Sequence, residues 1–275
     1  REYPILTAKK RLNAIAKDVV WHFCNRGYKG KAMFIALDKL TAVKMYDLIS
    51  QHWQATVAEL EKEVAKGKYG DQELLAKSRE LQWIKETEIC VVVSSEQNEI
   101  QKFQQWDLDI EPHREKMNTQ NLEERFKNEN DPFRLVIVCA MWITGFDVPT
   151  LSTLYLDKPL KSHTLMQAIA RANRTSEGKN NGLIVDYIET YTALLDALAI
   201  YGTGGEEGAE GQKPEAPVQP KEELIRELEE DLSATEDFLQ DEVNFELREL
   251  IESSGLEKLA AMEKGINAIY TNDET

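Results

Sequence analysis

The chain has 275 residues, of which 42% are hydrophobic and 30% are charged, so it is long enough to bury a sizeable core. Its formal net charge is −16, and most of that charge is local: residues 203–275 contain 6 Lys or Arg against 21 Asp or Glu. Such an acidic total argues against a protein that binds nucleic acid through a broad basic surface. The three cysteines and four histidines have neither the number nor the spacing of a disulfide framework or a zinc site.

The sequence has no apolar run of 18 residues and no signal-peptide pattern. We therefore expect a cytoplasmic protein without a membrane partner. Because the chain opens at Arg1 rather than at a methionine, we also expect it to be a piece of a longer protein.

The amino-terminal part predicts a helix, a strand and further helices. Thr7 can cap a helix that runs to about Arg26, since apolar residues recur along one helical face: Leu12, Ile15, Ala16, Val19, Val20 and Phe23. The apolar residues 31–37 predict the first strand, and a helix from Thr41 to about Gln51 is expected behind it. The highly charged stretch at about 53–88 predicts a helical insertion on the surface.

Short apolar, β-branched runs predict four more strands, at residues 89–94, 133–140, 151–156 and 182–186. Between the first two of these, residues 96–132 are polar, and only 121–127 have the spacing of a helix. Strands that alternate with helices predict an α/β fold with a parallel sheet covered on both faces. We expect residues 1–202 to form this domain.

The remainder predicts a linker and a helical tail. Residues 203–220 are rich in Gly, Pro and Glu and form an acidic linker that cannot bury a core. Beyond it, residues 221–275 predict helices at about 222–253 and 256–270. Two apolar stripes mark the first of them, one of leucines and one that includes Phe238, Phe245 and Leu250.

Two motifs in the central part have residue types that suit phosphate chemistry. Thr144-Gly145-Phe-Asp147 follows a buried strand, and Gln167, Arg171 and Arg174 come at helical positions 0, +4 and +7, which share one face. Arginine grips phosphate at two points and stays charged. A solvated basic stripe is the plain alternative for the arginines, as is a turn-stabilising acid for Asp147. The joint pattern favours a phosphate site.

These motifs resemble motifs V and VI of superfamily 2 helicases and translocases. The stretch MWITGFDVPTLSTLYLDKPLKSHTLMQAIARANR is more closely similar to the motor part of the restriction (R) subunit of type I restriction enzymes. The resemblance implies a second RecA-like helicase lobe, in which ATP lies between this lobe and another. It implies that Arg174 is the main arginine finger, with Arg171 beside it and Gln167 as a hydrogen-bonding partner. Gly145 would allow close approach of the nucleotide, and Asp147 would accept hydrogen bonds from the ribose or from the arginines.

The same resemblance implies the cofactors and partners. ATP and Mg²⁺ would be bound mainly by the first lobe, because this sequence contains no G-x-x-x-x-G-K-[ST] phosphate loop. Double-stranded DNA would contact Thr144, Ser94 and Ser95, and residues 221–275 would dock on the modification and specificity subunits. The arrangement of an acid followed by E-x-K on neighbouring strands, which binds Mg²⁺ for DNA cleavage, is also not found, so we expect this chain alone to be inactive. No metal ligand is expected within it.

Two other functions remain compatible with the sequence. The chain could be the second lobe of another superfamily 2 helicase or remodeller, or a protein-interaction module on a degenerate lobe without phosphate chemistry. The intact set of Gln167, Arg171, Arg174 and Asp147 favours a motor, because a degenerate lobe has no need of these side chains.

Overall fold

A computed structural model describes residues 3–26, 28–66, 70–143, 145, 147–160, 162–175, 179, 181–188, 190, 221–241, 245–247, 251 and 253–272. Thr144 and the predicted linker 203–220 lie outside this part of the chain. Spatial clustering divides the protein into two compact units, Arg1–Glu206 and Glu207–Thr275. Among the described helices, none has the length and apolar character needed to cross a membrane.

Five parallel strands form one sheet in the order β2-β3-β1-β4-β5. They are β1 (Lys31–Ile35), β2 (Glu88–Val92), β3 (Phe133–Val138), β4 (Leu151–Leu156) and β5 (Leu183–Asp186). Each lies within or beside a predicted apolar run. The expected α/β class, a RecA-like parallel sheet flanked by helices, is therefore confirmed.

Eight helices of the first unit connect or cover these strands in the described residues: α1 (Tyr3–Leu6), α2 (Lys9–Asn25), α3 (Lys39–Ala65), α4 (Asp71–Glu86), α5 (Glu99–Gln104), α6 (Glu111–Thr119), α7 (Leu122–Lys127) and α8 (Ser162–Ala172). All six residues of the predicted inner face of α2 are buried. Thr7, however, does not cap α2: its hydroxyl donates to the carbonyl of Tyr3, within the turn of α1.

Helix α3 is longer than the sequence predicts. It begins at Lys39, capped by the Asp38 carboxylate, which accepts from the Thr41 amide at 2.7 Å, and it continues past Gln51 to Ala65. The helical residues after 53 are thus partly an extension of α3 rather than a separate insertion. Trp53 explains the extension, because it is buried and its indole donates to the Ile84 carbonyl of α4 at 3.2 Å.

The core lies on both faces of the sheet, as parallel strands require. One face, including Phe34, Leu135 and Ile137, packs with α2 and α3 in a single cluster, and helix α8 packs on β4 and β5. All three cysteines are buried and unpaired with one another. Burial raises the pKa of Cys24 and of Cys90 to about 12.

One buried lysine fastens the amino-terminal end of the sheet. Lys31 is 1% exposed, and its Nζ donates to the carbonyls of Asp131 and Phe133 at 2.9 and 2.7 Å. Burial lowers the pKa of Lys31 to about 8. The lysine therefore joins β1 to the start of β3 through main-chain oxygens and reaches no part of the arginine motif.

The second unit contains helices Lys221–Asp241 and Gly255–Asn272. The first was expected to continue to about Ser253 but ends at Asp241, after which the Phe245 amide donates to the Leu239 carbonyl at 2.8 Å. Phe245 is 4% exposed and lies against Gly265, where an added Cβ would come within 3.0 Å of the ring. The predicted leucine stripe, by contrast, is exposed to solvent at Leu224, Leu228 and Leu232.

Candidate functional site

The Thr-Gly-x-Asp motif lies in a connection that runs from the end of β3 to the start of β4. Met141 and Trp142 lie near the carboxyl end of β3, while Pro149 and Thr150 precede β4, whose amino end pairs beside that of β1. The connection therefore passes from one end of the sheet to the other. Met141 and Trp142 therefore belong to one end of the strands, and Pro149 and Thr150 belong to the other.

Helix α8 presents the arginine motif because its opposite face is apolar and small. Leu165, Ala168, Ile169 and Ala172 are at most 2% exposed, whereas Gln167 and Arg171 are half-buried. The helix ends at Ala172, so Arg174 follows the last turn rather than lying within it. Close packing continues there: a Cβ on Gly182 would come within 2.2 Å of the Ala172 carbonyl oxygen, so only glycine fits.

Arg174 and Asp147 form an ion pair, in which Nη1 of the arginine donates to Oδ2 of the aspartate. Both side chains are exposed, at 51% and 54%. Exposed pairs of this kind contribute roughly 0.2–1 kcal/mol to stability. Asp147 therefore orients the guanidinium but does not hold it against a competing anion. A buried pair would have argued against contact with a ligand.

Arg171 lies beside this pair and has donors without acceptors. Its Nε and Nη1 are inaccessible to solvent and have no hydrogen-bond partner among the described residues. Burial lowers the pKa of Arg171, the charge of Arg174 lowers it further, and Asp147 acts in the opposite direction. Unmet buried donors are rare and costly, so the charge of Arg171, which no acceptor among the described residues matches, favours an anion beside the guanidinium.

Gln167 and Gly145 complete the predicted nucleotide-facing set. The Gln167 side-chain nitrogen lies 3.3 Å from Nε2 of His163, one turn earlier on α8. Gly145 has a φ of +73°, the left-handed region that favours glycine, and no described atom lies within 4 Å of the position its Cβ would take. Backbone conformation thus explains the glycine, and the space beside it is open.

The predicted DNA-contacting serines lie at the other end of the sheet. Ser94 and Ser95 follow β2, are exposed, and line a groove of about 490 Å³ together with Met141 and Trp142, which follow β3. Trp142 has a φ of +66°, a strained conformation for an aromatic residue. Arg114, which also lines the groove, donates to both carboxylate oxygens of Glu99, at 2.7 and 2.8 Å. Because Glu99 neutralises the charge of Arg114, the groove presents mainly uncharged polar and apolar side chains rather than a strongly basic surface.

The predicted residues therefore form two groups at opposite ends of the strands. Asp147, Arg171 and Arg174 lie near the amino end of β4, Gln167 lies midway along α8, and the two serines lie at the carboxyl end of β2. Thr144, the third predicted DNA contact, is outside the described residues. No group of three or more His, Cys, Asp or Glu side chains suited to a metal ion occurs in the part of the chain that the structure covers.

No pattern in the sequence indicates a role for Lys179, because it lies in a Gly- and Asn-rich stretch typical of solvent exposure. Its side chain is in fact buried, and its Nζ donates to the carbonyl of Arg174 at 2.6 Å. Only the folded chain brings together the carbonyl groups that make this burial possible.

Comparison with known proteins gives one consistent family. Residues 28–189 match the family described as type I restriction enzyme subunit R domain 3. The HindI type I restriction enzyme endonuclease subunit of Haemophilus influenzae is 36% identical over 72% of this chain and 16% of its own length. The SauCOLORF180P subunit of Staphylococcus aureus is 44% identical over 24% of this chain and 7% of its own.

The chain thus spans only a small part of these relatives. A solved fragment assigned to the HsdR subunit of a type I restriction enzyme from Vibrio vulnificus YJ016 aligns with 68% of this chain and 29% of that chain at 16% identity. Its TM-score of 0.42 is too low to support any argument. The family match, which covers more than half of the chain, is sufficient by itself: the protein belongs to the type I restriction enzyme subunit R family.

Proposed function

We propose that this chain is the second RecA-like lobe of an ATP-driven double-stranded-DNA translocase within a type I restriction enzyme. The observation that carries the proposal is the pair of guanidiniums at the end of α8. Arg174 is exposed and held by a weak ion pair, and Arg171 has two buried N–H groups without acceptors. Both are arranged for an anion that the described residues do not provide.

A γ-phosphate held by a neighbouring lobe would fit this arrangement. Arg174 would exchange its contact with Asp147 for a phosphate oxygen, and Arg171 would turn its guanidinium toward the phosphate so that its buried donors gain acceptors. Charge builds on the transferred phosphoryl group in the transition state, and arginine fingers that neutralise it accelerate related NTPases by roughly 10³–10⁵. Gln167 would add a hydrogen bond, and the open space beside Gly145 would admit the nucleotide.

ATP and Mg²⁺ would be held mainly by the first lobe, which supplies the phosphate loop. The sequence of this chain has no such loop, and its described residues include no metal-ligand cluster. We therefore expect no ATPase activity from the isolated chain. The nuclease of the enzyme would likewise reside elsewhere.

DNA would pass the opposite end of the sheet. Ser94 and Ser95 lie on the groove between the ends of β2 and β3, and their hydroxyls can donate to phosphate oxygens of one strand. Thr144 follows in the same connection. Contacts to phosphate rather than to bases suit a motor that must move over any sequence.

The carboxyl-terminal unit would dock on the modification and specificity subunits. Its first helix exposes Leu224, Leu228 and Leu232 on an otherwise acidic surface, and such a stripe is the usual face of a helix that binds a groove. Deletion of residues 203–275 should abolish assembly with the methyltransferase core in a co-purification assay. Intact assembly would instead assign the stripe to packing within the subunit.

The finger role is tested with Arg174→Ala in the complete subunit, assembled with its partners. We expect the kcat of DNA-stimulated ATP hydrolysis to fall by about 10³-fold or more. Lys85→Ala is a matched control, because Lys85 and Glu61 form an ion pair of similar exposure at 2.8 Å, far from the arginines in sequence and on the surface of α3 and α4. Unchanged ATPase in Arg174→Ala would overturn the proposed function.

A further inference from the structure

Lys179 is a buried cation with an unusual set of partners. It is 4% exposed, and its Nζ donates to three main-chain carbonyls: Pro149 at 3.0 Å, Leu151 at 2.7 Å and Arg174 at 2.6 Å. An ammonium group has three N–H donors, so this set uses all of them. Lys179 therefore has no donor left for a phosphate, and direct contact with nucleotide is excluded as its role.

The three carbonyls belong to two segments that meet at the arginine site. Pro149 lies just before β4 and Leu151 is its first residue, both shortly after Asp147, and the third carbonyl is that of Arg174 itself. Lys179 thus ties together the backbones that carry both members of the exposed ion pair. Neither segment is otherwise joined to the other there by regular helix or sheet hydrogen bonds in the described residues.

The arginine needs such support because its own contacts are weak. Helix α8 has ended at Ala172, and the Arg174 amide reaches the Arg171 carbonyl only at 3.4 Å. The exposed pair with Asp147 contributes roughly 1 kcal/mol or less. A guanidinium that acts on a transition state must nevertheless be held closely, since a shift of about 1 Å in such a group costs on the order of 10²-fold in rate.

We propose that Lys179 is a positioning residue that fixes Arg174, through its main-chain carbonyl, relative to Asp147. This inference rests on the proposed function, because it presumes that Arg174 acts on ATP. Burial of the ammonium lowers the pKa of Lys179 to about 8, so the group is still largely charged at neutral pH. Loss of the three donors would leave the sheet and its core intact, but the backbone at Arg174 would no longer be fixed relative to the start of β4.

The test is a double-mutant cycle in the complete subunit assembled with its partners, with Lys179→Met, Arg174→Ala and both together. DNA-stimulated ATPase is measured as kcat and KM. We expect Lys179→Met to lower kcat by about 10-fold or more, with KM for ATP changed less than about 2-fold, because the loss affects the transition state. In the Arg174→Ala background the same substitution should change kcat less than about 2-fold, because the residue it positions is already gone.

Lys31→Met is the matched control, since the Lys31 side chain is also buried and donates to main-chain carbonyls, but to those at the start of β3. Only its main chain pairs with the start of β4, and the substitution leaves that pairing in place. Lys31→Met should lower thermal stability. At a temperature where the subunit is folded, it should leave kcat unchanged, both in the wild-type background and in the Arg174→Ala background. Should Lys179→Met not fold, Lys179→Gln, which keeps two amide donors, replaces it in the cycle.

Two failures can be told apart. If Lys179→Met retains wild-type kcat while Arg174→Ala is impaired, or if the two effects multiply independently, the positioning role is overturned and the finger role stands. If Arg174→Ala itself leaves the ATPase unchanged, the proposed function fails, and the positioning role fails with it.

Discussion

Replacement of Arg171 by methionine should stabilise the isolated 275-residue chain while it inactivates the complete subunit. Methionine has a long, unbranched side chain that follows a similar path and has no polar donors. In the chain without nucleotide, Nε and Nη1 of Arg171 are buried and have no acceptor within the part of the chain that the structure describes. The substitution removes both unmet donors and also the repulsion from the neighbouring Arg174.

The size of the gain follows from the cost of a buried unmet donor, which is roughly 1–3 kcal/mol. Arg171 as a whole is only half-buried, so two donors together should cost less than the full sum, about 1–2 kcal/mol. In a chain of this size 1 kcal/mol shifts Tm by roughly 2–4 °C. We therefore expect Arg171→Met to raise Tm by about 2–8 °C and to lower the ATPase kcat of the complete subunit by about 10²-fold or more.

Arg134→Met provides the contrast within the same chain. Arg134 is also half-buried, but its Nη1 donates to the Trp83 carbonyl and to the Thr87 hydroxyl, both at 2.9 Å, and its guanidinium lies 4.8 Å from the Trp83 ring. Loss of these contacts should lower stability by about 1–3 kcal/mol. If thermal denaturation gave Arg171→Met the same loss as Arg134→Met, then Arg171 would be a structural arginine with partners of its own, and the ligand-receiving site would be refuted.

Two further substitutions test the packing and the charges around the sheet. Gly182→Ala should destabilise the chain by about 2 kcal/mol or more in urea denaturation, because the added Cβ would overlap the Ala172 carbonyl; a neutral result would mean that α8 ends elsewhere. Burial alone would raise the pKa of Glu88, but hydrogen bonds from Arg125 and Lys116 outweigh it and lower that pKa from 4.5 to about 2. Because the folded pKa is the lower one, this stabilisation is complete above pH 4.5 and lost toward pH 2. That pKa change corresponds to roughly 3 kcal/mol, which solvent screening of this partly exposed group reduces to about 2 kcal/mol. Glu88→Gln should remove this loss of stability at acid pH, and an unchanged pH dependence would contradict the assignment.

The strands could be predicted because each is a short, β-branched apolar run that is too short to form a buried helix. Residues 133–138 and 151–156 are buried on both faces, so nearly every side chain reports the burial. Helices α5 and α6 were missed because each is held by few apolar contacts, Phe103 in the first and His113 in the second, which is too few to form a periodic pattern. The full length of α3 was hidden for a related reason: past Gln51 only Trp53 is buried, while Val57 and Leu60 pack against the core but remain partly exposed.

The candidate site was predictable where it depends on spacing along one element and not where it depends on distant segments. Gln167 and Arg171 share a helical face that can be counted from the sequence, and their half-burial follows from the small residues between them. Lys179 could not be recognised in this way, because its three acceptors come from two other places in the chain. Nor does spacing indicate that the arginine and serine groups lie at opposite ends of the strands.

The state of the three cysteines makes this chain convenient for fluorescence measurements. Thiols react with maleimide dyes as thiolates, and burial raises the pKa of Cys24, Cys90 and Cys139, so none should be labelled at neutral pH while the chain is folded. A single cysteine introduced at the exposed Ala170, on the helix that carries the arginines, would then be the one reactive thiol in the chain. A dye at that position would report nucleotide binding, and the three native cysteines would not have to be replaced first.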